Sequence, residues 1–138
     1  VNYVFLSIIA LVTYALVAPL VKIATREIPP EIAVVITNVI LVLMAIGWAK
    51  YQGKDFLPYL SLVKPMGLLV LSGILLGVGI VAYYLAISAG PISVVVPIYG
   101  LFIVLSAIVG VFFLGEALTL TRVLGLLCAV LSIYLVTR

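Results

Sequence analysis

The chain has no histidine, a single cysteine and only four acidic residues among 138. Cysteine–histidine zinc sites and disulfide frameworks are therefore excluded, because Cys128 stands alone inside an apolar run. Without histidine the serines lack their usual base. No nucleophile–base pair, metal set or phosphate loop is present, so neither an enzyme nor a cofactor is expected. Charge of either sign is scarce at 8%, and the net +3 is spread over short connections, which argues against a nucleic-acid partner. What remains is apolar: 67% of residues, with a mean hydropathy of +1.54. A soluble domain of this length needs far more charge to cover its surface, so lipid is the natural solvent.

A helix crossing the hydrocarbon core needs about 20 apolar residues at 1.5 Å each. Five stretches qualify, which predicts an all-α polytopic protein of five transmembrane helices forming one domain over residues 1–138. The first runs over Tyr3–Ala24, where Lys22, Arg26 and Glu27 mark its end. The N-terminal run has no basic leader and no small-residue cleavage site before Lys22, so it is expected to be a retained helix rather than a signal peptide. Pro29-Pro30 opens the second helix, which extends to Ala49, since proline suits a first helical turn. Lys50 to Lys64 is the long polar connection, in which Tyr59 to Val63 is too short to span. The third helix covers Pro65–Ser88, the Ala89-Gly90-Pro91 turn follows, and the fourth covers Ile92–Leu114. Gly115-Glu116 ends it, Thr119 caps the fifth, and that helix runs over Leu120–Val136. Charged residues gather at these boundaries. Lys50, Lys54, Lys64 and Arg122 fall on one membrane face and Lys22, Arg26 and Arg138 on the other. Basic residues favour the cytoplasm, so this count tips the N-terminus inward by one residue and leaves insertion in both orientations open.

The second half carries Ala86-Ile87-Ser88-Ala89-Gly90-Pro91, then Val94-Val95-Val96-Pro97-Ile98-Tyr99, then Phe113-Leu114-Gly115-Glu116-Ala117-Leu118-Thr119. In order and spacing these resemble the EamA family of the drug/metabolite transporter superfamily, in particular its short prokaryotic members with a single five-helix repeat. Gly125, Tyr14, Pro19, Lys22 and Pro30 also sit at positions that the family pattern marks, and the resemblance covers essentially the whole chain. It implies half of a ten-helix transporter, placed in the inner membrane of a prokaryote. Three departures stand out. Thr37-Asn38 occupies a neighbourhood where the family often has an arginine, Tyr99-Gly100 stands where short members often carry charge, and the first helix lacks the glutamate of the small multidrug resistance relatives. Proton coupling usually needs a titrating group at depth. No acidic residue is available at depth in any predicted span, so drug–proton exchange of that kind is disfavoured.

Polar side chains share one depth. Tyr14 lies eight residues in from Lys22, Asn38 eight in from Pro30, Tyr83 seven in from Gly90 and Tyr99 eight in from Pro91. Each is then about 10–12 Å below that face of a core about 30 Å thick. Thr13, Thr37 and Tyr84 are the adjacent alternatives. One reading is an aromatic-lined polar pocket for a small solute; the other is interhelical hydrogen bonding that only holds the bundle. Tyr3, Tyr51, Tyr59 and Tyr134 read as interfacial tyrosines. Pro19 and Pro97 each free a carbonyl four residues earlier, at Ala15 and Ser93. Such carbonyls either line a wet cavity, as in the broken helices of transporters, or mark packing kinks. Lys22 either offers an ammonium to an anionic solute at the cavity mouth or snorkels to the interface. Glu116 is expected to tie the turn between the last two helices. Gly73 with Gly77, Ser106 with Gly110, and Gly125 with Ala129 are small pairs four apart, a spacing that permits close helix approach within or between chains.

The leading expectation is a secondary transporter or facilitator of a small polar metabolite, such as an amino-acid-like solute. It would work by alternating access as an antiparallel homodimer or as a heterodimer with a homologous chain. Translocation of a lipid-linked amphiphile is the alternative, and a non-transporting membrane scaffold the third reading.

Overall fold

The computed structural model describes residues 2–115, 117 and 119–136. Glu116 lies outside the described residues, and so does its expected role in the turn. The described chain is helical with short turns. Its elements are α1 (Tyr3–Ala24), α2 (Pro30–Tyr51), the one-turn α3 (Leu57–Leu60), α4 (Val63–Ala89), α5 (Ile92–Gly100), α6 (Phe102–Leu114) and α7 (Leu120–Val136). Four apolar stretches are long enough to cross a membrane: α1, α2, α4 and the run Ile92–Leu114; α7, with 17 residues, lies at the short end of the spanning range. The five expected spans are therefore all helical. The polar connection holds α3, and Lys64 and Pro65 join the first turn of α4, where a missing proline amide costs no bond.

The turns follow from residues that suit helix ends. Pro29 (φ −52°, ψ 138°) and Pro91 (φ −70°, ψ 137°) are both extended, and each carbonyl accepts the first amides of the helix behind it. Ala33 donates to the Pro29 carbonyl at 3.1 Å and Val95 to the Pro91 carbonyl at 3.0 Å. At the other end of α2, Gly53 takes φ +65°. Its amide reaches the Lys50 carbonyl at 2.9 Å and the Lys54 amide reaches the Ala49 carbonyl at 3.0 Å. That pair of bonds is the Schellman ending, which satisfies carbonyls left over by the last turn. Gly115, at φ +68°, ends α6 in the same left-handed conformation.

The two prolines inside helices behave differently. α1 continues through Pro19. The fourth span is interrupted: α5 stops at Gly100, and the Leu101 amide turns to the Ile98 carbonyl at 3.2 Å, a three-residue step, before α6 begins. Pro97 has no amide to give to Ser93, and Gly100 adds backbone freedom beside the break.

The described residues form two compact units, residues 19–88 and residues 1–18 with 89–138. In the first, the buried side chains Val21, Ala33, Tyr84 and Ile87 all belong to the last turns of α1, the first turns of α2 or the last turns of α4. In the second, α7 packs on α5 and α6, and Ala18 and Gly110 are buried. Among the described residues the small-residue spacing of α4 makes no close approach, since a Cβ added at Gly73 or Gly77 would meet nothing within 4 Å. Replacing Gly53 with alanine forces a side chain into the left-handed region. It is expected to lower unfolding free energy by about 1 kcal/mol in a detergent-unfolding titration, with Gly53→Asn costing less.

Candidate functional site

Polar side chains within apolar helices first bond to their own backbone. Thr13 Oγ1 donates to the Ile9 carbonyl at 2.8 Å, and Ser88 Oγ to the Leu85 carbonyl at 2.8 Å. These are the back-bonds open to a hydroxyl where no water competes. In α2, Thr37 Oγ1 donates to the Ala33 carbonyl at 3.0 Å, and Asn38 Nδ2 to the Val34 carbonyl at 2.8 Å.

The 19–88 unit adds a polar contact between helices to these. The Tyr84 hydroxyl donates to Thr37 Oγ1 at 2.9 Å, and Tyr84 is only 2% exposed. A relay results from α4 to α2: tyrosine hydroxyl to threonine hydroxyl to backbone carbonyl. Tyr83, half-buried, sets its ring edge-on to Tyr84, with centroids 6.4 Å apart and planes at 67°. Asn38, half-buried and next to Thr37 in α2, has Nδ2 on its own helix, while its Oδ1 accepts no hydrogen bond from the described residues. At about 10–12 Å from the helix end, an amide oxygen of this kind is an acceptor available to a solute. The cluster is neutral and offers both donors and acceptors.

Lys22 is turned inward. Its ammonium donates to the carbonyls of Ile87 at 2.7 Å and Ser88 at 3.0 Å, the last turn of α4. A cation on the carbonyl end of a helix satisfies acceptors that the ladder leaves open and meets the negative pole of the helix dipole. The lysine thereby fastens the end of α1 to the end of α4, one turn from Tyr84. In this position it caps the helix. Ile87 and Ser88 enter through their backbone carbonyls, which no side-chain pattern announces.

Of the remaining expected residues, Tyr14, Pro97 and Tyr99 belong to the other unit and Pro19 to the 19–88 unit. Tyr14 is 68% exposed and makes no hydrogen bond to the described residues; Tyr99 is 44% exposed and packs against Phe102 at a centroid distance of 5.1 Å. Pro97 lies half-buried in α5, and Pro19 is exposed in α1. The polar level read from the sequence thus divides into Asn38, Tyr83 and Tyr84 in one unit and Tyr14 and Tyr99 in the other.

A helical, apolar chain with a neutral polar cluster at depth is what a solute carrier requires, and a family match decides its class. The model of the EamA-like transporter family matches residues 1–138. The chain belongs to that family. It is also 30% identical over 124 residues to an uncharacterized transporter in the cobO 3′ region of a Sinorhizobium species, an alignment covering 90% of this chain and 88% of that protein. No solved structure matches. As a member of the EamA-like family the chain is a multi-pass membrane protein of the transporter class rather than an enzyme.

Two measurements test this geometry. Lys22→Met removes two charge-assisted bonds and leaves two carbonyls open, so it is expected to destabilise by about 2 kcal/mol in a thermal or denaturant assay, with Lys22→Arg milder. A double-mutant cycle of Thr37→Val with Tyr84→Phe is expected to give a coupling of about 1 kcal/mol; additivity would show that the hydroxyls do not interact.

Proposed function

We propose that this chain is a secondary transporter or facilitator of a small polar solute, neutral or zwitterionic and amino-acid-like, in the inner membrane of a prokaryote. The observation that carries this reading is the Tyr84–Thr37–Asn38 cluster with the open Asn38 Oδ1, set within helices that are otherwise apolar. A pocket with hydroxyls and an amide but no charge suits a solute that brings hydrogen-bonding groups and little net charge. No acidic residue stands within the described membrane-spanning stretches beyond the first turn of α2, where Glu31 sits. Coupling through an embedded carboxylate is therefore not part of the proposal. Tyr14, Tyr83 and Tyr99 are proposed to line the solute path, Pro19 and Pro97 to bend it, and Lys22 to hold its mouth in shape rather than to serve as the main ligand.

Five helices are one repeat, and alternating access by rocking needs two repeats around one site. The proposed unit is therefore a dimer, either an antiparallel pair of this chain or this chain with a homologous one. The near-even basic count on the two faces supports the antiparallel form, and the Sinorhizobium relative, matched over 88% of its own length, is a transporter by name.

Uptake into liposomes carrying the purified protein, measured with a panel of labelled amino acids and sugars, is the direct test. Asn38→Ala is expected to reduce uptake at least about tenfold with stability unchanged, as for the loss of a binding-site hydrogen bond whose partner is left unpaired. Flux of an amphiphile alone, or no flux of any solute, would overturn the proposal. C-terminal reporters active on one side only should give signal on both sides for the antiparallel homodimer; signal from a single side would leave the heterodimer.

A further inference from the structure

The second unit has a feature unrelated to the polar cluster. Between α6 and α7 run two adjoining hollows of about 240 Å³ and 430 Å³, which share Ala107, Val111 and Leu126. Their walls are apolar, and one residue breaks the pattern: Arg122 borders the larger hollow, beside Gly125 and Ala129. The small residues keep the groove open, since a Cβ added at Gly125 would meet nothing within 4 Å.

Arg122 sits in the first turn of α7. Its Nη1 donates to the Ala117 carbonyl at 2.8 Å, and its guanidinium has no other partner among the described residues. A guanidinium carries five N–H groups in a planar fork, so most of its donors are not taken up by the described residues. Ala129, which lines the same hollow, lies seven residues further along α7, about 10 Å at helical rise. That is most of the depth of one leaflet of a hydrocarbon core about 30 Å thick. The polarity profile along the groove is therefore that of a single lipid: an anion-binding fork at the interface and an apolar trough beneath it. An apolar helix laid in the trough would cover it and bring no anion to the guanidinium. A phospholipid meets both requirements. An anionic one does so without a headgroup ammonium competing at the same fork.

We propose that the α6–α7 groove seats one anionic phospholipid of the surrounding bilayer, with its phosphate on Arg122 and an acyl chain along Ala107, Gly125 and Ala129. The site is independent of the transport reading, because it shares no residue with the Tyr84–Thr37–Asn38 cluster.

Native mass spectrometry of the full chain, released from bilayers of equal phosphatidylglycerol and phosphatidylcholine, reads the site directly. Retained phosphatidylglycerol is expected to exceed phosphatidylcholine about fivefold, the preference that one basic residue at a membrane surface supplies. Arg122→Gln should bring the two lipids to parity, and Arg122→Lys should keep part of the preference. Gly125→Leu, which fills the trough, should lower retention of both. Unchanged preference in Arg122→Gln or unchanged retention in Gly125→Leu would overturn the proposal. So would efficient disulfide joining of two copies through Ala129→Cys in a Cys128→Ser background, which would place a second chain in the groove.

Discussion

Inside a hydrocarbon core no water is present to satisfy an amide or a carbonyl, and each detail of this chain answers that constraint. Helices satisfy most of the backbone; the ends and interruptions require special residues. Pro29 and Pro91 begin helices where an amide would have had no partner, and the left-handed Gly53 lets two amides fold back on the carbonyls that end α2. Lys22 does the same work from a distance, placing an ammonium on two carbonyls at the end of α4. Hydroxyls and amides within the spans obey the same rule by bonding to their own helices first. Only after those internal bonds does the Tyr84–Thr37 contact join α4 to α2.

The order of these commitments bears on function. A hydroxyl that both donates to a carbonyl and accepts from a tyrosine has little hydrogen-bonding capacity left over, and in the proposed site Thr37 is a positioning residue. Asn38 differs because one amide hydrogen goes to Val34 and the oxygen stays open. Tyr84 is buried and bonded, and Tyr83 sets its ring edge-on beside it. The capping contact of Lys22 lies at the end of α4, about one turn beyond the tyrosine that meets Thr37.

Length and apolarity made the spans legible, because a run of about 20 apolar residues bounded by charge or proline has few other readings. The proline-led starts of α2 and α5 were legible for the same reason. The interruption at Leu101 was half-legible. Pro97 pointed to an open carbonyl at Ser93, yet the helix breaks four residues later, where the Leu101 amide chooses Ile98 over Pro97. The polar cluster was legible in depth and not in azimuth. Counting residues from a helix end locates a level to within about 1.5 Å, but neighbours such as Thr37 and Asn38, or Tyr83 and Tyr84, point about 100° apart around the axis. Which of each pair meets the other helix depends on packing that no single-residue count contains. The partners of Lys22 were not legible at all, since carbonyls at a helix end have no side-chain signature.

Small residues at helical spacing carry a further consequence. Gly73 and Gly77 on α4 face open space in the chain, so their spacing brings no described helix close. In water such a face would be a defect to be covered. In lipid it costs little, because acyl chains fill it as readily as another apolar side chain does. Association along such a face must then come from close backbone packing and interhelical hydrogen bonds, with no water expelled to drive it. A single repeat with an uncovered glycine face and a polar cluster set in an otherwise apolar helix pair gains on both counts when a second repeat approaches. The glycines permit contact, and the open amide of Asn38 finds a more polar surrounding than lipid. That shared requirement links the proposed dimer to the proposed solute site, and it does so through the same hydrogen-bonding constraint that shapes the single chain.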